Sequence, residues 1–143
     1  MENKKINKIQ KEFDLGVILN ITTMRLFTNM EDVYEILNYL TGDNIYTHQI
    51  PRVMSIAKTY ILSLYPELTG VGNTVEINSF DDAKVFINEQ KKVFGNKLSL
   101  SPMEKTDGYS YVDPIKEAID MTSRKINEKV LVLKPTKKQS NTK

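Results

Sequence analysis

The sequence contains no cysteine. Disulfide bonds, zinc sites with thiolate ligands, iron–sulfur clusters and a cysteine nucleophile are therefore all excluded. It contains one histidine, His48, which excludes any site that needs two imidazoles. A Ser-His-Asp triad would have to use His48, but no Gly-x-Ser-x-Gly stretch supplies the nucleophile, and there is no glycine-rich phosphate loop. We predict a non-enzymatic protein without a cofactor or a metal, although an enzyme that uses only carboxylates or lysine stays open.

Long apolar runs and an excess of charge of one sign are also missing. No run approaches the roughly 18 apolar residues that cross a membrane, and residues 1–12 are charged and lack the apolar stretch of a secretion signal. These features predict a cytoplasmic protein with no membrane partner. The formal net charge of +2 is far from the acidity of a DNA mimic and from the strong basic excess of a dedicated DNA binder.

The length of 143 residues suits one compact domain. We predict an α+β fold in which a mainly helical N-terminal half packs on a small strand–helix–strand C-terminal half. Residues 1–12 are predicted to be a flexible lead-in, residues 13–133 a single globular domain, and residues 134–143 a disordered basic tail.

Apolar residues at helical spacing, together with capping residues, predict five helices. The third has apolar residues around so much of its circumference that it is expected to be central or to pack on a partner, which leaves room for a homodimer. The helices are expected to begin at an Asp14 cap, a Thr28–Glu31 capping box, His48–Pro51, a Ser79 cap and Asp113–Pro114.

Alternating apolar residues predict short strands at Thr74–Ile77 and Leu98–Leu100. The intervening helix is long enough for a crossover connection, so these two strands could be parallel. A further strand is predicted at Val130–Leu133. Tyr109 and Tyr111 bracket a short extended piece, where they either pack on the core or stack on bases.

The most distinctive segment is the polar stretch from Thr41 to Arg52, between the second and third helices. Capping chemistry explains most of it, and this structural interpretation is favoured. Gly42 ends one helix, Asp43 and Asn44 make a turn, and Thr47 caps the next helix. In this interpretation Tyr46 packs on the core, while His48 and Arg52 are solvated or paired locally.

A functional interpretation uses the same geometry. A helix N-terminus offers unpaired N–H groups and positive partial charge to an anion. Around that first turn, Thr47, His48, Gln49 and Arg52 would offer a hydroxyl, an imidazole, an amide and a guanidinium to a phosphate or to a partner's carboxylate. A second, weaker candidate is formed by Thr22, Thr23 and Arg25, for which a β-branched helix end and a surface arginine are the favoured interpretation.

Two stretches, Leu15–Thr23 and Thr41–Arg52, resemble a family of small phage and prophage proteins. The resemblance continues through Phe86–Gln90, Phe94–Gly95 and Asp113–Ile115, and covers residues 13 to 121. Its most specific part is the Thr-Gly-Asp-Asn-Ile-Tyr-Thr-His-Gln-Ile-Pro-Arg stretch. The resemblance implies a phage setting and a small accessory protein that acts on the host, its defences or nucleic acid. It brings no enzymatic activity with it.

Three hypotheses follow. In the first, the protein is phage-encoded and inhibits a host component by binding it, most plausibly a defence-system protein such as a CRISPR effector. In the second, it sequesters a nucleotide or small anion at the turn from Thr47 to Arg52. In the third, it is a nucleic-acid accessory protein that uses its basic ends. The turn from Gly42 to Thr47 is too long for an ordinary helix-turn-helix, which disfavours the third.

Overall fold

The computed structural model describes residues 9–124. They form the predicted α+β fold, with most of the helices in the N-terminal part and a two-stranded sheet. Three short 3-10 turns, Thr47–Gln49, Pro66–Leu68 and Lys105–Asp107, lie between the main elements. In chain order, the main helices and strands are β1 (Lys11–Asp14), α1 (Leu15–Thr23), α2 (Met30–Thr41), α3 (Ile50–Leu64), α4 (Phe80–Phe94), β2 (Lys97–Leu100) and α5 (114–124).

The chain divides into two compact units, Met1–Ser110 and Tyr111–Lys143. Of the second unit, the structure describes residues 111–124, where Asp113 caps α5 as predicted: its Oδ1 accepts a hydrogen bond from the Ile115 N–H at 3.0 Å. The strand predicted at Val130–Leu133 and the predicted basic tail lie outside the described residues. All other elements belong to the first unit.

Helix α1 is the centre of the first unit. It contacts α2, α3, α4 and both strands. Eight of its nine residues are buried, which is expected of a helix that is apolar on nearly every side. The sequence pattern predicts that α3 is central or packs on a partner. In α3 only one face is buried, and Leu64 is exposed, so its wide apolar circumference does not correspond to a central position.

The sheet differs from the prediction. Strand β1 pairs with β2 in antiparallel register, with Lys11 opposite Leu100 and Asp14 opposite Lys97. The predicted strand at Thr74–Ile77 is wrong, because neither of the strands found within residues 9–124 includes these residues. The predicted parallel crossover is therefore wrong as well, and residues 11 and 12 belong to β1 instead of a lead-in.

Three tyrosines hold the carbonyl groups of β2 and of the residue after it. Tyr39, Tyr60 and Tyr65 each donate a hydroxyl hydrogen bond, to Leu100 O at 2.8 Å, Ser101 O at 2.7 Å and Ser99 O at 2.7 Å respectively. Burial raises the pKa of Tyr39, and burial together with the carboxyl of Asp107 raises the pKa of Tyr60 to about 12. The strand is thus attached to α2 and α3 by side chains as well as to β1 by its backbone.

The helix boundaries follow the predicted capping chemistry with two corrections. Thr47, predicted to cap the third helix, lies inside the 3-10 turn Thr47–Gln49, and the N-cap position of α3 is occupied by Gln49 without a side-chain cap. Asp14 and Ser79 cap α1 and α4, accepting hydrogen bonds from Gly16 N and Asp82 N. Asn29, not Thr28, caps α2, and its Oδ1 accepts the N–H of Asp32 at 2.9 Å. Thr28 is displaced from this role because its hydroxyl accepts a hydrogen bond from the side chain of Asn20, 2.6 Å away.

Candidate functional site

The segment between α2 and α3 is held from both ends by side chains. At its start, Gly42 adopts the left-handed conformation with φ of 74°, and the Oδ1 of Asn38 accepts the N–H of Ile45 at 2.8 Å. The hydroxyl of Tyr109 donates to Asp43 Oδ2 at 2.6 Å. Ile45 is buried in the core. The path of the chain from Gly42 to Ile45 is therefore fixed by contacts to α2 and to residue 109.

The second half of the segment is fixed by Gln49 and Tyr34. The Tyr46 N–H donates to Gln49 Oε1 at 3.1 Å, and the Gln49 N–H donates back to Tyr46 O at 2.8 Å. Gln49 is only 2% exposed. The hydroxyls of Tyr34 and Thr47 are hydrogen-bonded to each other. Gln49 thus acts here as a structural residue inside the fold, whereas the functional interpretation gave it a surface role.

What remains outside is a surface centred on Tyr46. Asn44 and Tyr46 are exposed, whereas Ile45 between them is buried in the core. Tyr46 is 49% exposed, whereas the favoured structural interpretation had packed it on the core. We call Asn44, Tyr46, Thr47, His48 and Arg52 the Tyr46 surface.

His48 and Arg52 extend this surface along the start of α3. The ring of His48 lies 6.3 Å from that of Tyr46, centroid to centroid. His48 and Arg52 are four residues apart in one helical run, which places them on the same face. Both side chains are half-buried and take part in interactions of their own. The surface offers a phenol, an imidazole, a guanidinium, an amide and a hydroxyl, groups that suit recognition by hydrogen bonding and stacking.

The second predicted cluster lies elsewhere. Thr22 and Thr23 are buried at the end of α1, and Thr23 Oγ1 donates to Leu19 O at 2.6 Å while accepting the N–H of Arg25 at 3.0 Å. The guanidinium of Arg25 donates to Gly72 O at 2.7 Å and lies over the ring of Phe27. Thr23 and Arg25 thus join the end of α1 to the loop around Gly72. None of the three residues is part of the Tyr46 surface.

Several residues that fix the Tyr46 surface were missed in the sequence. Asn38 is a polar residue inside a helix, where asparagine is not favoured, and this was a signal that its side chain serves a neighbouring loop. Tyr34 and Tyr109 gave no such signal, because hydroxyl contacts over 13 and 66 residues do not follow from local patterns.

Within residues 9–124, no group of three or more histidine or acidic residues is placed to hold a metal ion. In the same part of the chain, none of the helices combines the length and apolar character that spanning a bilayer requires.

Residues 13–71 match a protein family described as a domain of unknown function (DUF7736). The matched stretch contains α1, α2, α3 and all the predicted site residues. No curated protein matches the chain. No solved structure matches it either.

Proposed function

We propose that this chain is a non-enzymatic binding protein that acts by occupying a protein partner, and that the Tyr46 surface makes the contact. The observation that carries the proposal is the exposure of Tyr46 on a segment whose backbone is fixed at both ends. Tyrosine and arginine are enriched among the residues that dominate protein–protein binding energy, and the Tyr46 surface contains one of each.

Pre-organisation supports the same proposal. A segment held by Asn38, Gln49 and Tyr109 loses little conformational entropy when a partner binds, because its shape is already set. Tyrosine has few rotatable bonds, so it provides a large contact area at low entropic cost. An exposed aromatic ring on an ordered loop is therefore well suited to bind a complementary pocket on another protein.

The setting we propose comes from the resemblance to small phage and prophage proteins. In that setting the partner is a host protein, and binding inhibits it. A component of a defence system, such as a CRISPR effector, is the most plausible target, and the host cytoplasm is where the two would meet. A small protein that blocks its target by contact needs a stable scaffold and one recognition surface, and the Tyr46 surface on the first unit supports the proposal that it works in this way.

The nucleotide-binding alternative is ranked second. It relied on four groups around the turn from Thr47 to Arg52, and burial of Gln49 removes one of them from the surface. The hydroxyl of Thr47 also already has a partner in Tyr34. It predicts a rise in melting temperature with nucleotides that is lost in His48→Ala or Arg52→Ala. The nucleic-acid alternative depends on the chain ends, which lie outside the described residues.

The proposal is tested by affinity purification of the tagged full chain from host lysate, with quantitative mass spectrometry and with nuclease treatment of a parallel sample. We expect a protein to be enriched in near-stoichiometric amount, and its capture to survive nuclease. We also expect a phage lacking the gene to plate poorly on a strain with the corresponding defence. A chain that purifies alone, and a mutant phage that grows normally on every defended strain, would refute it.

A further inference from the structure

A groove of about 690 Å³ lies between helix α4 and the turn that connects α1 to α2. Its apolar part is formed by Phe27 and Ile87, which are buried in the fold, and by Phe80, which is 76% exposed. A single exposed apolar residue is common on protein surfaces. Phe80 differs because it borders a groove whose inner wall is also apolar. We call this the α4 groove.

The charged side chains that line the groove give it a small net positive charge. Lys84 and Lys91 line it, and Asp14 is its one carboxylate, so the lining carries one net positive charge. The Asp14 carboxylate is already occupied, because Oδ1 is 2.7 Å from Lys91 Nζ and Oδ2 accepts the N–H of Gly16. Lys84 is exposed and forms no ion pair with any residue among 9–124. The groove thus presents a cation beside its apolar wall.

Helical spacing arranges these groups in a line. Phe80, Lys84, Ile87 and Lys91 recur at intervals of three and four residues, which places them along one face of α4. The two lysines are separated by seven residues, or about 10 Å along the axis. Asn88, also exposed in the groove, lies between them and offers an amide. Asp82, in the first turn of α4, faces a different cleft with Ile77 and Phe86.

We propose that the α4 groove binds a segment of a protein partner that presents a large apolar side chain with a carboxylate beside it. The apolar side chain would cover Phe27, Phe80 and Ile87, and a carboxylate would pair with Lys84, because Lys91 is already paired with Asp14. Sites for small molecules enclose most of the ligand surface. The exposure of Phe80 and the length of the lined face, from residue 80 to residue 91, favour a longer occupant that lies along the helix.

The α4 groove is distinct from the Tyr46 surface. Asn29, at the start of α2, lines the groove, whereas Gly42, at the end of α2, begins the segment that carries Tyr46. The twelve residues of α2 separate these two points, a distance of about 18 Å along the helix axis. The inference therefore does not depend on the proposed function of the Tyr46 surface.

The test is selection of a random peptide library on the purified full chain, followed by affinity measurements on the enriched peptides by fluorescence polarisation. We expect an enriched group with one large apolar residue next to aspartate or glutamate. Lys84→Glu and Phe80→Ala should each weaken its binding by about tenfold or more. Lys92→Glu and Val93→Ala, on the same helix but outside the groove, should leave binding within about twofold. Tyr46→Ala should also leave it unchanged.

Three outcomes would overturn the inference. One is that no such peptides are enriched. Another is that the enriched peptides bind Lys84→Glu as well as the unchanged chain. A third is that decanoate, a small apolar acid, binds in a Lys84-dependent way while no peptide does, since the groove would then be a small-molecule site. Melting curves of the four α4 variants, which change exposed residues, control for unfolding.

Discussion

Asn20 is a fully buried polar residue in a helix that is otherwise almost entirely apolar. Its Oδ1 accepts the N–H of Phe27 at 2.7 Å and that of Thr28 at 3.3 Å, and its Nδ2 donates to the hydroxyl of Thr28. Asn20 therefore makes three of the hydrogen bonds that hold the part of the turn at Phe27 and Thr28, which line the α4 groove. A buried amide with all its partners in place stabilises the fold, but its removal leaves buried backbone groups without partners.

Asn20→Ala should lower the free energy of unfolding by about 3 kcal/mol, because three hydrogen bonds are lost and the buried Phe27 N–H loses its acceptor. Urea denaturation followed by circular dichroism measures this loss. Asn44→Ala, which changes an exposed asparagine, should alter the stability by less than about 0.5 kcal/mol. Equal effects of the two substitutions would contradict the assigned role of Asn20.

Tyr60 makes the stability depend on pH in the alkaline range. Its pKa is raised from 10.0 to about 12, first by burial and then by the carboxyl of Asp107. In the unfolded chain a tyrosine loses its proton near pH 10, whereas Tyr60 in the folded chain keeps it. Its contribution is therefore complete below about pH 10 and is lost as the pH rises toward about 12.

Comparison with Tyr60→Phe isolates this contribution. At neutral pH the variant should be less stable by about 1 kcal/mol, because the hydrogen bond to Ser101 O is lost. Above about pH 10 the difference in stability between the two proteins should shrink, because Tyr60, which the variant lacks, loses its proton when the wild-type protein unfolds. Urea midpoints of both proteins at several pH values measure it. A difference that stays constant with pH would show that Tyr60 titrates normally.

At the scale of elements, the contact between α1 and α4 depends on Gly16. A Cβ atom at this position would lie 2.9 Å from Ile87 Cδ1, 3.1 Å from Asp14 Oδ2 and 3.2 Å from Thr28 Cγ2. Glycine within an open helix is usually less stable than alanine. Here the close approach of α4 reverses that preference.

Gly16→Ala should therefore destabilise the protein, by about 1–3 kcal/mol. Ile87→Val removes the atom that the new Cβ would meet, and alone it should cost about 1 kcal/mol. In the double variant the loss should be smaller than the sum, because the valine relieves the clash. Stabilisation by Gly16→Ala, or strict additivity in the double-mutant cycle, would contradict the packing described here.

The helices were more accessible to prediction than the sheet for a physical reason. A helix is encoded by local features, and Gly42, Ser79 and Asp14 all mark boundaries where the sequence placed them. Strand pairing is not local: β1 meets a partner more than 80 residues away. The alternation at Thr74–Ile77 corresponds to the partial burial of Val75 and Ile77 between exposed neighbours, but in the described part of the chain no strand pairs with it.

The same division applies to the candidate site. The sequence identified the segment from Thr41 to Arg52 and the Gly42 helix end. The sequence could not show that Gln49 is buried and Tyr46 is exposed, because residue types in a turn do not reveal which side chains point to the core and which point to solvent. That direction is set by Asn38 and Tyr109, whose contacts with the segment are tertiary.

At the scale of the whole molecule, the stretch that matches the family does not contain a complete core. It ends at residue 71, whereas Ala83, Ile87 and Leu100 are buried in the same core as α1. Strand β1 also has its partner beyond that point. The first compact unit, by contrast, ends at Ser110 and includes all of these residues.

A chain ending at residue 71 should therefore fail to unfold cooperatively, whereas a chain ending at Ser110 should keep a cooperative thermal transition. Circular dichroism melting curves distinguish the two. The longer fragment serves as the control for truncation as such. A cooperative transition in the shorter fragment would mean that α1, α2 and α3 suffice for the fold.

We propose that this fold keeps the Tyr46 surface ready for a protein partner. The most direct measurement compares partner capture from host lysate by the wild-type chain, by Tyr46→Ala and by Tyr111→Ala, using quantitative mass spectrometry. Tyr111 is an exposed tyrosine outside the Tyr46 surface and is the matched control. We expect Tyr46→Ala to reduce capture of the partner by about tenfold or more, and Tyr111→Ala to leave it unchanged. Full capture by Tyr46→Ala, or no captured partner for the wild-type chain, would contradict the proposal that the Tyr46 surface binds a protein partner.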